Sequence, residues 1–162
     1  MAQVVIALGS NLNNPHQQLR EAATFLASIS NTEIRKSPIY TSEPVGPSEN
    51  DFLNAVISIE TKLTAEGLFE KLKYQEKQQG RPSRYPKWTA RTLDLDIIAY
   101  DNLVIETDSL IIPHQDYTRR LFVLLPLRDV FPDWKDPVSS QHIDELIKQA
   151  PDLEIDKTTL NW

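Results

Sequence analysis

The segment "RTLDLDIIAY" (91–100) constrains the fold more than any other stretch of the chain. Its period of two is that of a β-strand, in which successive side chains point to opposite faces. Leu93, Leu95 and Ile97 then share one face, and Asp94 and Asp96 share the other. Carboxylates two positions apart on a strand lie about 6.5–7 Å from each other at the backbone. Two such charges repel by about 2–2.5 kcal/mol at an effective dielectric near 20. The pair must therefore be hydrated, matched by arginines or bridged by cations. A solvent-facing strand edge satisfies the first condition. A hard cation such as Mg²⁺, which takes one or two carboxylates and completes its shell with water and phosphate, satisfies the third.

Other segments carry similar patterns. "VVIALG" (4–9) is a short β-branched run and reads as a buried strand. Asn14-Pro15 opens a helix, Asn as its N-cap and Pro in the first turn, with Leu19, Ala22, Ala23 and Leu26 as the apolar stripe. "TEIRKSPIY" (32–40) is a second strand, limited to an edge by Pro38. Residues 41–50, with two prolines and a glycine, read as a loop. "DFLNAVISIE" (51–60) alternates, with Leu53, Ala55, Ile57 and Ile59 against Phe52, Asn54, Val56 and Ser58. Thr64 caps a second helix with Leu68, Phe69 and Leu72 inward, and Gly80 stops it. Residues 81–91 read as a basic loop, and 92–100 as the next strand.

The order over 4–100 is β-α-β-β-α-β. It predicts an α+β fold with a ferredoxin-like core: an antiparallel sheet with helices packed on it. A less regular C-terminal extension follows, with a short strand in 102–107, an apolar helix in 119–127 and a last helix in 140–150. The 162 residues suit one domain, 1–162, with no linker or internal repeat to divide it.

Charge narrows the function. The net charge of −6 disfavours a general nucleic-acid binder. Residues 71–91 nevertheless hold seven Lys/Arg and one Glu, whereas the rest of the chain has ten basic and 22 acidic residues. A basic segment on an acidic protein suits a local anionic ligand, although a solvated helix face with a charged loop gives the same pattern. No run is long and apolar enough to span a membrane, and the N-terminus lacks the form of a signal peptide, so the expected location is the cytoplasm. There is no cysteine, which excludes thiolate chemistry. Four glycines, at 9, 46, 67 and 80, cannot form a Walker A loop or a dinucleotide fingerprint. Phosphates must then be gripped by side chains and metal. Carboxylates for a cation beside Arg81, Arg84, Lys87 and Arg91 suit phosphoryl transfer. Phe52 beside Asn54 suits a flat heterocycle with donors and acceptors on its rim. His114 is a lone histidine and by itself more often structural. A metal-dependent phosphohydrolase or nuclease could use the same acids, and an RNA-binding module could share the topology.

"ALGSNL" (7–12), "YTSEPVGP" (40–47), "DFLNAV" (51–56), "QQGRPSRYPKWTARTLDLDI" (78–97) and "IPH" (112–114) occur in the order seen in the 6-hydroxymethyl-7,8-dihydropterin pyrophosphokinase family. The sequence resembles this family over essentially its whole length. The resemblance implies transfer of pyrophosphate from ATP to a pterin alcohol in folate biosynthesis. It implies two Mg²⁺ ions held by Asp94 and Asp96, and catalytic arginines at Arg81 and Arg91. ATP contacts would include Glu76, Arg84, Trp88, Ile97, His114 and Arg120. Pterin contacts would come from Ser42, Glu43, Val45, Phe52, Asn54 and Phe122. Ser83, Ser109 and Gln115 depart from the family pattern around the nucleotide. The implied partners are small molecules, with no nucleic acid and no membrane, and a monomeric protein is expected.

Overall fold

A computed structural model describes residues 1–44, 50–80 and 92–162. Its elements are β1 (Ala2–Ser10), α1 (Pro15–Ile29), β2 (Arg35–Lys36), β3 (Tyr40–Ser42), β4 (Phe52–Thr61), α2 (Ala65–Gln78), β5 (Asp94–Tyr100), β6 (Ile105–Glu106), β7 (Ile111–Ile112), α3 (Leu121–Val130), α4 (Ile143–Gln149) and β8 (Ile155–Lys157). A 3-10 turn at Tyr117–Arg119 leads into α3. The main sheet has the order β5-β1-β4-β3-β8, with β2 also beside β4. Every pairing in it is antiparallel. The fold is α+β, and its first hundred residues run β-α-β-β-β-α-β, with β2 and β3 where a single strand was expected.

Strand alternation sorts the side chains into two cores. Val4, Ile6, Leu8, Ala55, Ile57, Leu95 and Ile97 pack under α1 and α2 against Leu19, Leu26, Leu68 and Leu72. Val5, Ala7, Val56 and Ile98 face the other way, against Val123, Leu124, Leu127 and Val130 of α3. The sheet is thus covered on both faces, and the apolar helix foreseen in the C-terminal extension is what covers the second.

The second strand differs from its sequence reading. Instead of one strand over 32–40, two short pieces flank Pro38, which has no N–H to give the ladder. Ser37 patches the gap: its N–H donates to Val56 O at 2.9 Å, and its Oγ accepts from Val56 N at 2.9 Å. The second piece runs to Ser42, into residues read from sequence as loop. The reason is tertiary, since β8 pairs with β3 along Tyr40–Ser42. Asn14 occupies the N-cap position of α1, but in a left-handed conformation (φ 61°) and without a side-chain cap. Its carbonyl accepts from Gln18 N at 3.0 Å instead. Thr64 caps α2 as foreseen, accepting from Gly67 N at 3.0 Å. Beyond the end of α2, Gly80 has φ +102°, a conformation that favours glycine.

Candidate functional site

The register of β4, β1 and β5, three neighbouring strands, builds the site. Gly9 on β1 lies opposite Asn54 on β4 and Asp94 on β5. Two residues back, Ala7 lies opposite Val56 and Asp96. These positions share the α3 face. The row Asn54–Gly9–Asp94 therefore sets an amide and a carboxylate about 9–10 Å apart, two strand spacings, with only hydrogen between them. A Cβ at residue 9 would stand 3.6 Å from Asn54 Oδ1 and 3.9 Å from the Phe52 ring. The glycine keeps that floor low, and it is a site residue that the sequence analysis did not single out, although "ALGSNL" contains it.

Asn54 is buried, at 3% exposure, and its amide nitrogen donates to Ser42 Oγ at 2.8 Å. That bond fixes which way the amide faces. Phe52 lies on the same strand face, half-buried at the rim. Phe122 on α3 is also half-buried, with the Arg120 guanidinium 5.6 Å from its ring centroid. Arg120 is held in turn by Asp116 at 3.6 Å. Glu43 is exposed and tied to the segment before β8: its N–H donates to Glu154 O at 2.9 Å, and its carboxylate accepts from Glu154 N at 3.1 Å. At the end of β1, Ser10 Oγ donates to Thr92 O, and Asn11 and Asn50 exchange amide-to-carbonyl bonds of 3.2 Å.

Asp94 and Asp96 are both half-buried. Among the described residues no group of three or more His, Cys, Asp or Glu could enclose a metal. Two carboxylate ligands on an open face suit a hard cation that draws its remaining oxygens from water and phosphate, which is the habit of Mg²⁺. The residues present therefore fit that ion.

His114 reaches the site through an irregularity in β5. The β1–β5 register slips between Val5 and Ile6, leaving Ile98 with no residue opposite it. The Ile98 carbonyl accepts from His114 N at 2.9 Å, so the bulge docks the histidine segment beside Asp96. His114 Nδ1 accepts from Asp116 N at 3.1 Å, which assigns the ring proton to Nε2. Burial pushes the imidazole below the ordinary histidine value. Asp96 and Asp116 oppose this, while Arg120 and Lys73 reinforce it. The ring is thus a neutral Nε2–H donor near pH 7.

Two residues assigned to the nucleotide lie on the sheet's other side. Ile97 packs in the α1/α2 core at 5% exposure. Glu76, on α2, is 1% exposed, and its Oε2 accepts from Leu95 N at 2.7 Å. Val45, Arg81, Arg84, Trp88 and Arg91 lie outside the described residues. A separate groove of about 350 Å³ between α1 and Trp162 contains none of the assigned residues. No helix among the described residues is long and apolar enough to cross a membrane.

Comparison with known proteins agrees with the architecture first. Solved Plasmodium falciparum HPPK-DHPS bound to pteroate superposes with a TM-score of 0.71 at 15% identity, over 91% of this chain and 44% of that one. HPPK-DHPS in complex with substrates gives 0.69, over 91% and 43%. The chain spans less than half of those longer proteins, and the likeness is one of fold. In sequence, residues 5–132 match the family described as 7,8-dihydro-6-hydroxymethylpterin-pyrophosphokinase (HPPK). The chain is 43% identical over 159 residues to the 2-amino-4-hydroxy-6-hydroxymethyldihydropteridine pyrophosphokinase of Haemophilus influenzae, covering 97% of this chain and 98% of that one. It is 36% identical over 151 residues to the Pseudomonas aeruginosa protein of the same name, covering 92% of each. The chain belongs to the 7,8-dihydro-6-hydroxymethylpterin-pyrophosphokinase family.

Proposed function

We propose that this protein transfers pyrophosphate from ATP to the hydroxymethyl group of 6-hydroxymethyl-7,8-dihydropterin, as a step of folate biosynthesis. The alcohol oxygen bonds to the β-phosphorus as its O–H proton passes to solvent, the bond from that phosphorus to the α–β bridging oxygen breaks, and AMP leaves with that oxygen. The observation that carries the reading is the row Asn54–Gly9–Asp94: a fixed amide and a carboxylate on one sheet face with a glycine between them, and Asp96 beside the same face in the next row, opposite Ala7.

In this reading Asn54 reads the rim of the pterin, its amide oriented by Ser42. Phe52 and Phe122 take the two ring faces, Ser42 and Glu43 line the edge, and the family resemblance assigns Val45 to the pterin as well. Asp94 and Asp96 would hold the two Mg²⁺ ions that the family resemblance implies, and bound there the ions would supply neutralising charge for the phosphates and for the entering and departing oxygens. His114 offers a hydrogen bond from Nε2 without adding charge, and Arg120 adds a fixed cation beside it. Arg81, Arg84, Trp88 and Arg91 grip the nucleotide in the family's manner, with Arg81 and Arg91 acting on the transferred group by position and charge. Glu76 and Ile97 support the nucleotide side from behind β5. The protein works as a single domain over 1–162, as a cytoplasmic monomer with small-molecule partners.

Incubation with ATP, Mg²⁺ and the pterin alcohol tests this. The expected products are AMP and the pterin diphosphate, in equal amounts. Release of free phosphate, or AMP formed at the same rate without pterin, would instead indicate a hydrolase.

A further inference from the structure

Glu76 has an unusual position. It lies on α2, behind the sheet, with its side chain only 2% exposed and Lys73 Nζ 3.2 Å from Oε1. Desolvating a carboxylate costs several kcal/mol, and well-packed apolar residues are often as stable as a buried ion pair. Stability alone therefore gives little reason for an acid here. What Glu76 does hold is informative: Oε2 accepts from the N–H of Leu95, the residue between Asp94 and Asp96, at 2.7 Å in a buried contact.

The neighbouring topology explains why that N–H matters. Among the described residues β5 is the last strand of its sheet, with β1 on one side and no further strand on the other. Outward N–H groups of an edge strand have no ladder partner, and such strands open locally more readily than central ones. The Leu95 N–H belongs to the peptide plane joining Asp94 to Leu95. Rotation of that plane swings the Asp94 side chain relative to Asp96. Mg²⁺ requires near-ideal octahedral geometry at short distances, so a small error in the two carboxylates weakens binding. Groups that orient metal ligands from behind typically change metal affinity by about 10–100-fold when removed.

We propose that Glu76 is a positioning residue for the metal site: its carboxylate locks the Asp94–Leu95 peptide from behind the sheet and so sets the spacing of the two aspartates. The proposal rests on the reading of Asp94 and Asp96 as metal ligands. It assigns Glu76 a role through the backbone rather than in contact with ATP.

The test measures Mn²⁺ affinity in the presence of a non-hydrolysable ATP analogue, together with hydrogen exchange at the Leu95 amide. Glu76→Leu removes the acceptor; it should weaken Mn²⁺ binding by about tenfold or more and expose the Leu95 amide to exchange. Glu76→Gln keeps an amide oxygen in reach of the same N–H and should stay within about threefold of the parent. Parent Mn²⁺ affinity in Glu76→Leu, with only the unfolding midpoint lowered, would reduce Glu76 to a structural role and overturn the proposal. Equal losses in both variants would overturn it too, because charge and not the hydrogen bond would be at work. If Glu76→Leu does not fold, the parent protein still decides: a Leu95 amide that exchanges like an exposed edge amide overturns the proposal, and a protected one that Glu76→Gln preserves supports it. Asp94→Asn, run in parallel, separates the two readings. Unchanged Mn²⁺ binding there overturns the metal reading itself, whereas dependence on Asp94 without dependence on Glu76 overturns this proposal alone.

Discussion

Adjacent residues on the neighbouring strands β4, β1 and β5 form two parallel rows on opposite faces of the sheet. Ala55, Leu8 and Leu95 line up on the α1/α2 side, all but fully buried. Asn54, Gly9 and Asp94 line up one residue away on the α3 side. The aliphatic row removes apolar area from water and holds the strands together. The polar row could do neither, and it stays in register because the other one is anchored. A one-residue slip would exchange the two sets, so the hydrophobic face that fixes the register also positions the site.

The largest expected contrast lies within β5 itself. Asp94→Ala or Asp96→Ala should lower pyrophosphoryl transfer by about 10³-fold or more, on the scale of losing a group that acts on developing charge, with the denaturant midpoint nearly unchanged. Leu95→Ala, between them, should cost about 2–5 kcal/mol of stability in denaturant titration. If the aspartate variants lose as much stability as the leucine variant, the division of the two faces fails.

Gly9 provides the next contrast. Gly9→Val places methyl groups beside Asn54 Oδ1, where even a bare Cβ would be at 3.6 Å. The KM for the pterin should rise about tenfold or more while that for ATP changes far less, given how steeply catalysis depends on placement. Equal changes in both would move the floor out of the pterin site.

A smaller effect tests a polar cluster that has no part in the site. Behind α3, the Tyr117 hydroxyl donates to Asp136, which also accepts from Ser139 N at 2.8 Å. Burial alone would raise the Asp136 carboxyl, but the Tyr117 hydroxyl and Ser139 N–H outweigh it and hold the group below its ordinary value. A depressed carboxyl contributes stability that is present above its unfolded value, about 3.9, and lost as pH falls through the folded one. Asp136→Asn should flatten that acid limb in pH-dependent unfolding and leave turnover per folded molecule unchanged. An activity loss would join this cluster to the site.

Much of this was legible along the chain because both faces are written in period two. Leu53 to Ile59 and Leu93 to Ile97 announced their strands, and Thr64 and Gly80 marked the limits of α2. What was not legible depended on partners distant in sequence. Ser42 reads as loop until β8, more than a hundred residues later, pairs with it. Nothing in "NNPH" reveals that Asn14 turns left-handed and leaves its side chain out of the cap. The Asp94–Asp96 pair and the Asn54 amide stood out as polar residues on apolar strands. Gly9 did not, because a glycine signals nothing until its neighbours are known. Glu76 was assigned by resemblance to the nucleotide side, yet its burial turns it toward the strand backbone.

In the proposed function everything turns on Asp94 and Asp96 holding the cations of the nucleotide together. Crystals grown with Mn²⁺, a non-hydrolysable ATP analogue and the pterin alcohol test it through anomalous scattering. Manganese peaks between both carboxylates and the phosphate oxygens on the α3 face are expected. Peaks elsewhere, with the two acids bound only to water, would contradict it.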